Sequence, residues 1–224
     1  KDISLEYQLK KNSLEFTSKG KKVLDGYVDF KPFYLKANLK YDGISTKNLF
    51  NNESILIDIV RSQILNNQNL NVKIDLDVKN ITNSNELNNL HLEINLEQGE
   101  ISLTNSKIDW KDNLEFLLDD ALLDYDGGEI SLIGKLRIDI KNINNFYQSF
   151  QVKKIHRKKI KDVELDFVYN FNKNQLRFDN VKVDKKSSSE VDEFITKYNR
   201  SKKNFFNKIT FKNFVNNFFK NYSG

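Results

Sequence analysis

The sequence predicts a mainly β protein: a curved, antiparallel, one-sided, groove-like sheet with one short internal amphipathic helix and a C-terminal helical tail. Three observations predict it. Several segments alternate almost strictly between apolar and polar residues, most clearly Leu70-Asn71-Val72-Lys73-Ile74-Asp75-Leu76-Asp77-Val78. Alternation at period two marks an extended strand with one apolar and one solvated face. Hairpin chemistry recurs between such segments, at Glu97-Gln98-Gly99-Glu100, Asp126-Gly127-Gly128 and Asn172-Lys173-Asn174. Finally, the apolar period lengthens to that of a helix over residues 52–65 and again after Ser189.

Taken in order, residues 3–9, 14–17, 23–30 and 33–41 read as consecutive strands, with Lys10-Lys11-Asn12 and Ser18-Lys19-Gly20-Lys21 as turns. Pro32, the only proline, falls between two of them, where a missing N–H is tolerated. Over 52–65, Leu56, Ile59, Val60 and Ile64 share one helical face, with Asn52 or Ser54 as a cap and Glu53 near the positive end of the helix dipole. Strands resume at 70–78, 90–96, 101–104, 114–118, 121–125, 130–140, 163–171 and 176–183. Residues 142–150 suit one or two helical turns, and 153–161 a basic loop. Ser187-Ser188-Ser189 reads as a linker to helices at 191–198 and 205–222. The division expected is a β-groove domain, 1–186, and a linker with basic amphipathic helices, 187–224.

Length and composition bound the function. A chain of 224 residues holds one large domain or two small ones. Position 1 is Lys, so the chain reads as a fragment or processed product of a longer sheet. With no Cys there is neither a disulfide framework nor a thiolate metal site. No apolar run approaches the ~18 residues a membrane-spanning helix needs. The net charge of +5 is concentrated at the end: residues 194–224 carry seven basic residues and no acid, leaving 29 basic against 31 acidic elsewhere. A charge-balanced body argues against nucleic acid as a partner.

The candidate chemistry is sparse. His91 alternates with the apolar set Leu90, Leu92, Ile94 and Leu96 and points away from it, and His156 lies in the basic loop. The acids Asp119, Asp120, Asp124, Asp126 and Glu129 do not follow a calcium-loop spacing, and no phosphate-cradling loop or Gly-flanked serine elbow occurs. No catalytic residue, metal or cofactor is assigned. A carbohydrate-active β enzyme would need a carboxylate pair facing a cleft, and the acids lie opposite the apolar set. The chain reads as a binding or conduit surface.

Three segments carry a resemblance. Leu24-Asp25-Gly26-Tyr27-Val28-Asp29-Phe30-Lys31-Pro32-Phe33-Tyr34-Leu35 with Ala37-Asn38-Leu39, and Gly128-Glu129-Ile130-Ser131-Leu132-Ile133-Gly134-Lys135-Leu136, resemble strands of AsmA-like proteins. The ending Lys208-Ile209-Thr210-Phe211-Lys212-Asn213-Phe214-Val215-Asn216-Asn217-Phe218-Phe219 is similar to AsmA-like C-terminal regions of the alphaproteobacterial type. The resemblance implies a periplasmic cell-envelope protein anchored to the inner membrane by an upstream segment. It implies a long sheet with an apolar groove related to TamB-like bridges that pass phospholipid toward the outer membrane, and no catalytic residues.

The function expected is therefore non-enzymatic lipid binding or transfer, with phospholipid acyl chains on the apolar face. Its expected lining is Ile3, Leu5, Tyr7, Leu9, Val72, Ile74, Leu76, Leu92, Ile94, Leu136, Ile138, Val163, Leu165 and Phe167. In the last helix, Lys208, Phe211, Lys212, Phe214, Val215, Phe218 and Phe219 are expected either to meet a membrane surface or envelope partner or to pack on the sheet. The alternative is a structural envelope-assembly factor binding client outer-membrane proteins by strand addition.

Overall fold

The structure, a computed structural model, describes residues 4–18, 23–45, 60–62, 64–201 and 208–224. The alternating segments form eleven strands: β1 (Leu5–Leu9), β2 (Ser13–Ser18), β3 (Leu24–Phe30), β4 (Phe33–Ile44), β5 (Asn71–Ile81), β6 (Leu87–Glu97), β7 (Glu100–Trp110), β8 (Leu114–Asp126), β9 (Glu129–Ile140), β10 (Asp162–Asn170) and β11 (Gln175–Val183). They make one open sheet in sequence order, with β1 first and β11 last. Neighbours are antiparallel except β4 and β5, which run parallel with Leu35 opposite Val72. The mainly β, one-sided sheet is thus present. Its parallel step was invisible to the sequence pattern, because parallel and antiparallel strands share the same period.

The connection from β4 to β5 returns the chain from the Ile44 end of the sheet to the Asn71 end. The helix expected over 52–65 lies mostly outside the described residues. Residues 60 and 61 are helical, a 3-10 turn spans Ile64–Asn66, and Val60 packs beside buried Ile130 and Phe171.

Strand irregularities keep the apolar side chains on one face. The sequence suggested two strands at 114–118 and 121–125, but β8 is continuous. A register shift between Leu118 and Asp120 brings Leu118 opposite Leu136 and Ala121 opposite Gly134. An extra residue there reverses the parity, so both apolar runs face the same way. Asn105 in β7 and Asn180 in β11 sit at similar parity changes with φ of 48° and 50°, and Asn89 in β6 has φ of 51°. Asparagine tolerates this left-handed conformation better than most residues. Part of the asparagine content therefore serves the bulges.

Among the described residues, three further helices complete the fold: α1 (Ile143–Phe150), α2 (Ser189–Arg200) and α3 (Lys208–Asn221). The Asn142 side chain caps α1 by accepting from the Asn145 N–H, and Ser188 caps α2 by accepting from that of Val191. Glu190 and Asp192 in the first turn of α2, with Lys197 and Arg200 in its last, complement its dipole. The helices and β7–β11 share one core in which Phe146, Phe150, Val191, Ile195, Val215 and Phe219 are buried. Asn216 of α3 donates to the Phe150 carbonyl at 2.7 Å, satisfying a group that the C-terminal end of α1 leaves open. The basic loop after α1 is pinned by Tyr147, whose hydroxyl donates to the Lys158 carbonyl and accepts from the Lys158 N–H.

Candidate functional site

Strand register assembles the site. Starting at the β1 edge, cross-strand neighbours run Leu9, Leu14, Val28, Leu35, Val72, Leu96, Ile101, Leu123, Leu132, Tyr169 and Leu176, one from each strand. Every member is apolar or aromatic. At ~4.8 Å per strand the row is roughly 48 Å long. A second row runs beside it: Tyr7, Phe16, Gly26, Ala37, Ile74, Ile94, Leu103, Ala121, Gly134, Phe167 and Phe178. Two pairs of small residues interrupt it. A Cβ on Gly26 would meet the Lys36 carbonyl oxygen at 2.1 Å and the Phe16 ring at 2.7 Å; one on Gly134 would meet the Ala121 Cβ at 2.5 Å. Each glycine therefore sits where a neighbour already fills the space.

The helices divide this face. Over β7–β11 they cover it, and the boundary is Trp110, whose ring lies 5.5 Å from those of Phe150 and Phe211. Beneath them remains a cavity of about 80 Å³ lined only by apolar side chains, among them Phe116, Ile138, Leu165, Phe214 and Phe219. Among the described residues, the clusters under the helices include no side chain from β1–β6. The helical clusters do not extend over those six strands, where Ala37 and Leu96 of the two rows are nevertheless buried, at 7% and 5% exposure.

The expected lining accordingly separates into groups. Leu5, Tyr7 and Leu9 are exposed on β1, by 45%, 75% and 69%. Val72, Ile74, Leu76, Leu92 and Ile94 are half-buried on the open part. Leu136 and Ile138 pack against the helix-covered core, and Val163, Leu165 and Phe167 are buried inside it. These five line the protein's own interior rather than an open trough. Ile3 lies outside the described residues. Val28, Leu35 and Leu39 also belong to the open face. Their alternation was readable, but the parallel pairing that joins them to Val72 and Leu76 was not.

For the last helix, expected either to meet a membrane or partner or to pack on the sheet, the structure has the second arrangement. Val215, Phe218 and Phe219 are buried, and Phe211 and Phe214 pack against the same core, so these side chains do not face outward toward a membrane. Burying each large apolar side chain against the sheet contributes ~1.5–3 kcal/mol, and the sheet offers the nearest apolar surface. The Lys212 ammonium donates to the Gln151 side chain. The Lys208 side chain lies outside the described residues.

The opposite face is solvated and ion-paired across strands. Lys73 Nζ lies 3.1 Å from Glu93 Oε1, and Lys141 lies 3.0 Å from Asp109 and 3.3 Å from Glu115. Arg137 makes a two-pronged contact with Asp139, both bonds at 3.0 Å. The Lys73 ammonium, with donors from Thr104, Asn95 and Asn105, holds the Glu93 carboxyl down to about 2. His91 points to this side, as its alternation suggested. Its Nδ1 is 2.7 Å from Asp77 Oδ1, a cross-strand partner that sequence spacing did not reveal. Of the acids considered above, Asp120, Asp124 and Asp126 lie opposite Lys135, Ser131 and Glu129 in the β8–β9 register, and Glu129 itself pairs with Lys173. Among the described residues no group of three or more acids and histidines could hold a metal ion.

Fold and face define the class: an open, one-sided β-sheet with a helical cover over part of its apolar side. No family model matches the chain, and neither a curated protein nor a solved structure matches it.

Proposed function

We propose that the chain is a non-enzymatic lipid-binding or lipid-transfer segment that carries acyl chains on the open apolar face of β1–β6. The observation that carries the reading is the unbroken apolar row from Leu9 to Leu176, over whose first six strands the described helical clusters do not extend and where only Leu96 is buried. An acyl chain needs no directional partner; it gains roughly 25 cal/mol per Å² of apolar surface withdrawn from water. A sheet that presents apolar side chains on one side and ion pairs on the other suits that cargo. Among the described residues no helix is long and apolar enough to cross a membrane. The cell-envelope setting, periplasmic and tethered to the inner membrane, rests on the AsmA-like resemblance alone. The alternative, an assembly factor that adds client strands, draws on β1, which is exposed along its length.

The test is site-specific photo-crosslinking with phospholipid vesicles, a benzophenone side chain replacing one residue at a time. Adducts with lipid are expected from Leu92 and Ile74 and not from Asp75 on the solvated face or Leu165 beneath the helices. Equal labelling at all four positions, or none at Leu92 and Ile74, refutes the assignment. Native mass spectrometry of the purified chain, with phospholipid retained, is the independent check.

A further inference from the structure

The basic loop after α1 divides its apolar residues between core and water. Val152 and Ile160 at its two ends are buried, 2% and 5% exposed, whereas Ile155 at its centre is 81% exposed. The loop is firmly held. A 3-10 turn spans Lys154–His156, where the His156 N–H donates to the Lys153 carbonyl at 2.9 Å and the Arg157 N–H to that of Lys154 at 3.2 Å. The Arg157 guanidinium donates to the Val152 carbonyl at 3.0 Å and lies over the Tyr147 ring, whose hydroxyl accepts from the Lys158 N–H at 2.9 Å. Buried ends and a bonded turn together keep the Ile155 side chain in water.

The charge around that side chain is of one sign. From Asn142 to Lys161 the chain carries six cations, Lys153, Lys154, Arg157, Lys158, Lys159 and Lys161, and no acid. Lysines of the sheet answer a carboxylate across strands, as Lys73, Lys141 and Lys173 do. Among the described residues the loop cations make no such pair. Of the neighbouring acids, Asp184 accepts from the N–H groups of Lys161 and Asp162, and Glu190 accepts from Ser223. Unanswered cations repel one another, and an anionic surface relieves that repulsion.

We infer that the loop 153–161 docks on an anionic bilayer, with its lysines among the headgroups and Ile155 at the acyl boundary. A bilayer meets both features at once: each cation gains from the negative surface, and the aliphatic side chain gains by leaving water. A nucleic acid would neutralise the same charge, but it offers no apolar layer for Ile155. Nor does this stretch present an aromatic ring for a base to stack on, because Phe146, Tyr147 and Phe150 are all buried. The contact differs from a helix lying on the membrane, since α3 keeps its apolar side in the core. It is also independent of what the open face of β1–β6 carries.

Co-sedimentation of the whole chain with vesicles tests it, comparing phosphatidylcholine alone with phosphatidylcholine containing about one-third phosphatidylglycerol. Binding is expected to the anionic vesicles only, and it should disappear near 1 M salt, where the screening length falls to about 3 Å. Replacing Lys153, Lys154 and Lys159, all exposed, by Gln together should weaken binding roughly a hundredfold, about fivefold for each charge near the surface. Ile155→Ser should weaken it about tenfold. These side chains lie outside the core, so the fold is kept. The chain has no cysteine, so a polarity-sensitive dye on Ile155→Cys reports position 155 alone and should shift to the blue on anionic vesicles. Equal binding to both vesicle types overturns the inference, and lipid adducts at Leu92 in that case would leave the acyl-carrying face standing without it. Binding that survives the triple change, a dye that stays in water on bound vesicles, or tighter binding to a DNA duplex than to anionic vesicles overturns it as well.

Discussion

Replacing Phe219 by alanine separates a helix that covers the sheet from one that lies on a membrane. The side chain is 2% exposed, and its ring is 5.2 Å from Tyr147, edge to face, and 5.7 Å from Phe146. It also lines the apolar cavity of about 80 Å³ between helices and sheet. Removing it forfeits ~1.5–3 kcal/mol of transfer free energy. It also breaks aromatic contacts worth about 0.5–1.5 kcal/mol each beyond their area. Phe→Ala changes in cores cost ~3–5 kcal/mol, with ~24 cal/mol added per Å³ of residual cavity. The new void merges with one that the surroundings have already failed to fill, so the loss belongs near about 4 kcal/mol. Trp110, the only tryptophan, touches Phe150 and Phe211 at the edge of the helical cover and reports its docking by fluorescence. Urea unfolding followed at Trp110 should shift by that amount for Phe219→Ala. Ile155→Ala, at an exposed position, should stay within about 0.5 kcal/mol. A change below about 1 kcal/mol for Phe219→Ala, with loss of vesicle binding in its place, would refute the packing argument and restore the membrane-facing helix.

Two further outcomes follow from the polar groups. Glu93 has its carboxyl lowered from the ordinary 4.5 to about 2, so it releases its proton more readily folded than unfolded. Its stabilisation is complete above pH 4.5 and disappears as pH falls toward 2, an effect of roughly 1–3 kcal/mol after solvent screening. Glu93→Gln should flatten that part of the stability–pH curve, and an unchanged acid limb would show that Lys73 does not engage it. Asn199→Ala removes both bonds from that side chain to the Phe178 backbone of β11 and leaves a strand edge open. Chemical denaturation should register a loss of about 1–3 kcal/mol, and an unaltered midpoint would mean that the edge is not held by that side chain.

Much of the fold could be read from local pattern. The β class, most strand positions, the polar face and the helical turns at 142–150 follow from local period and turn chemistry, whereas the Asn142 cap was seen only in the structure. His91 was correctly turned from the apolar set by its place between Leu90 and Leu92. Strand continuity was harder to see. Leu118 and Ala121 have opposite parity, and only the bulge between them puts both on one face. Of the candidate site, the sharing of one face by Tyr7, Ile74, Ile94 and Phe167 was legible, since each strand alternates by itself.

What the sequence alone determined is that each strand has an apolar and a solvated side, because that property is written residue by residue. Which part of the apolar side is occupied was decided only in three dimensions. Phe167 and Ile74 look alike in sequence and lie in one row of the sheet, yet Phe167 is buried in the core under the helices and Ile74 is only half-buried on the uncovered side. A helix settles where its apolar stripe withdraws most surface from water, and that position depends on strand order and chain connection, which no local period encodes.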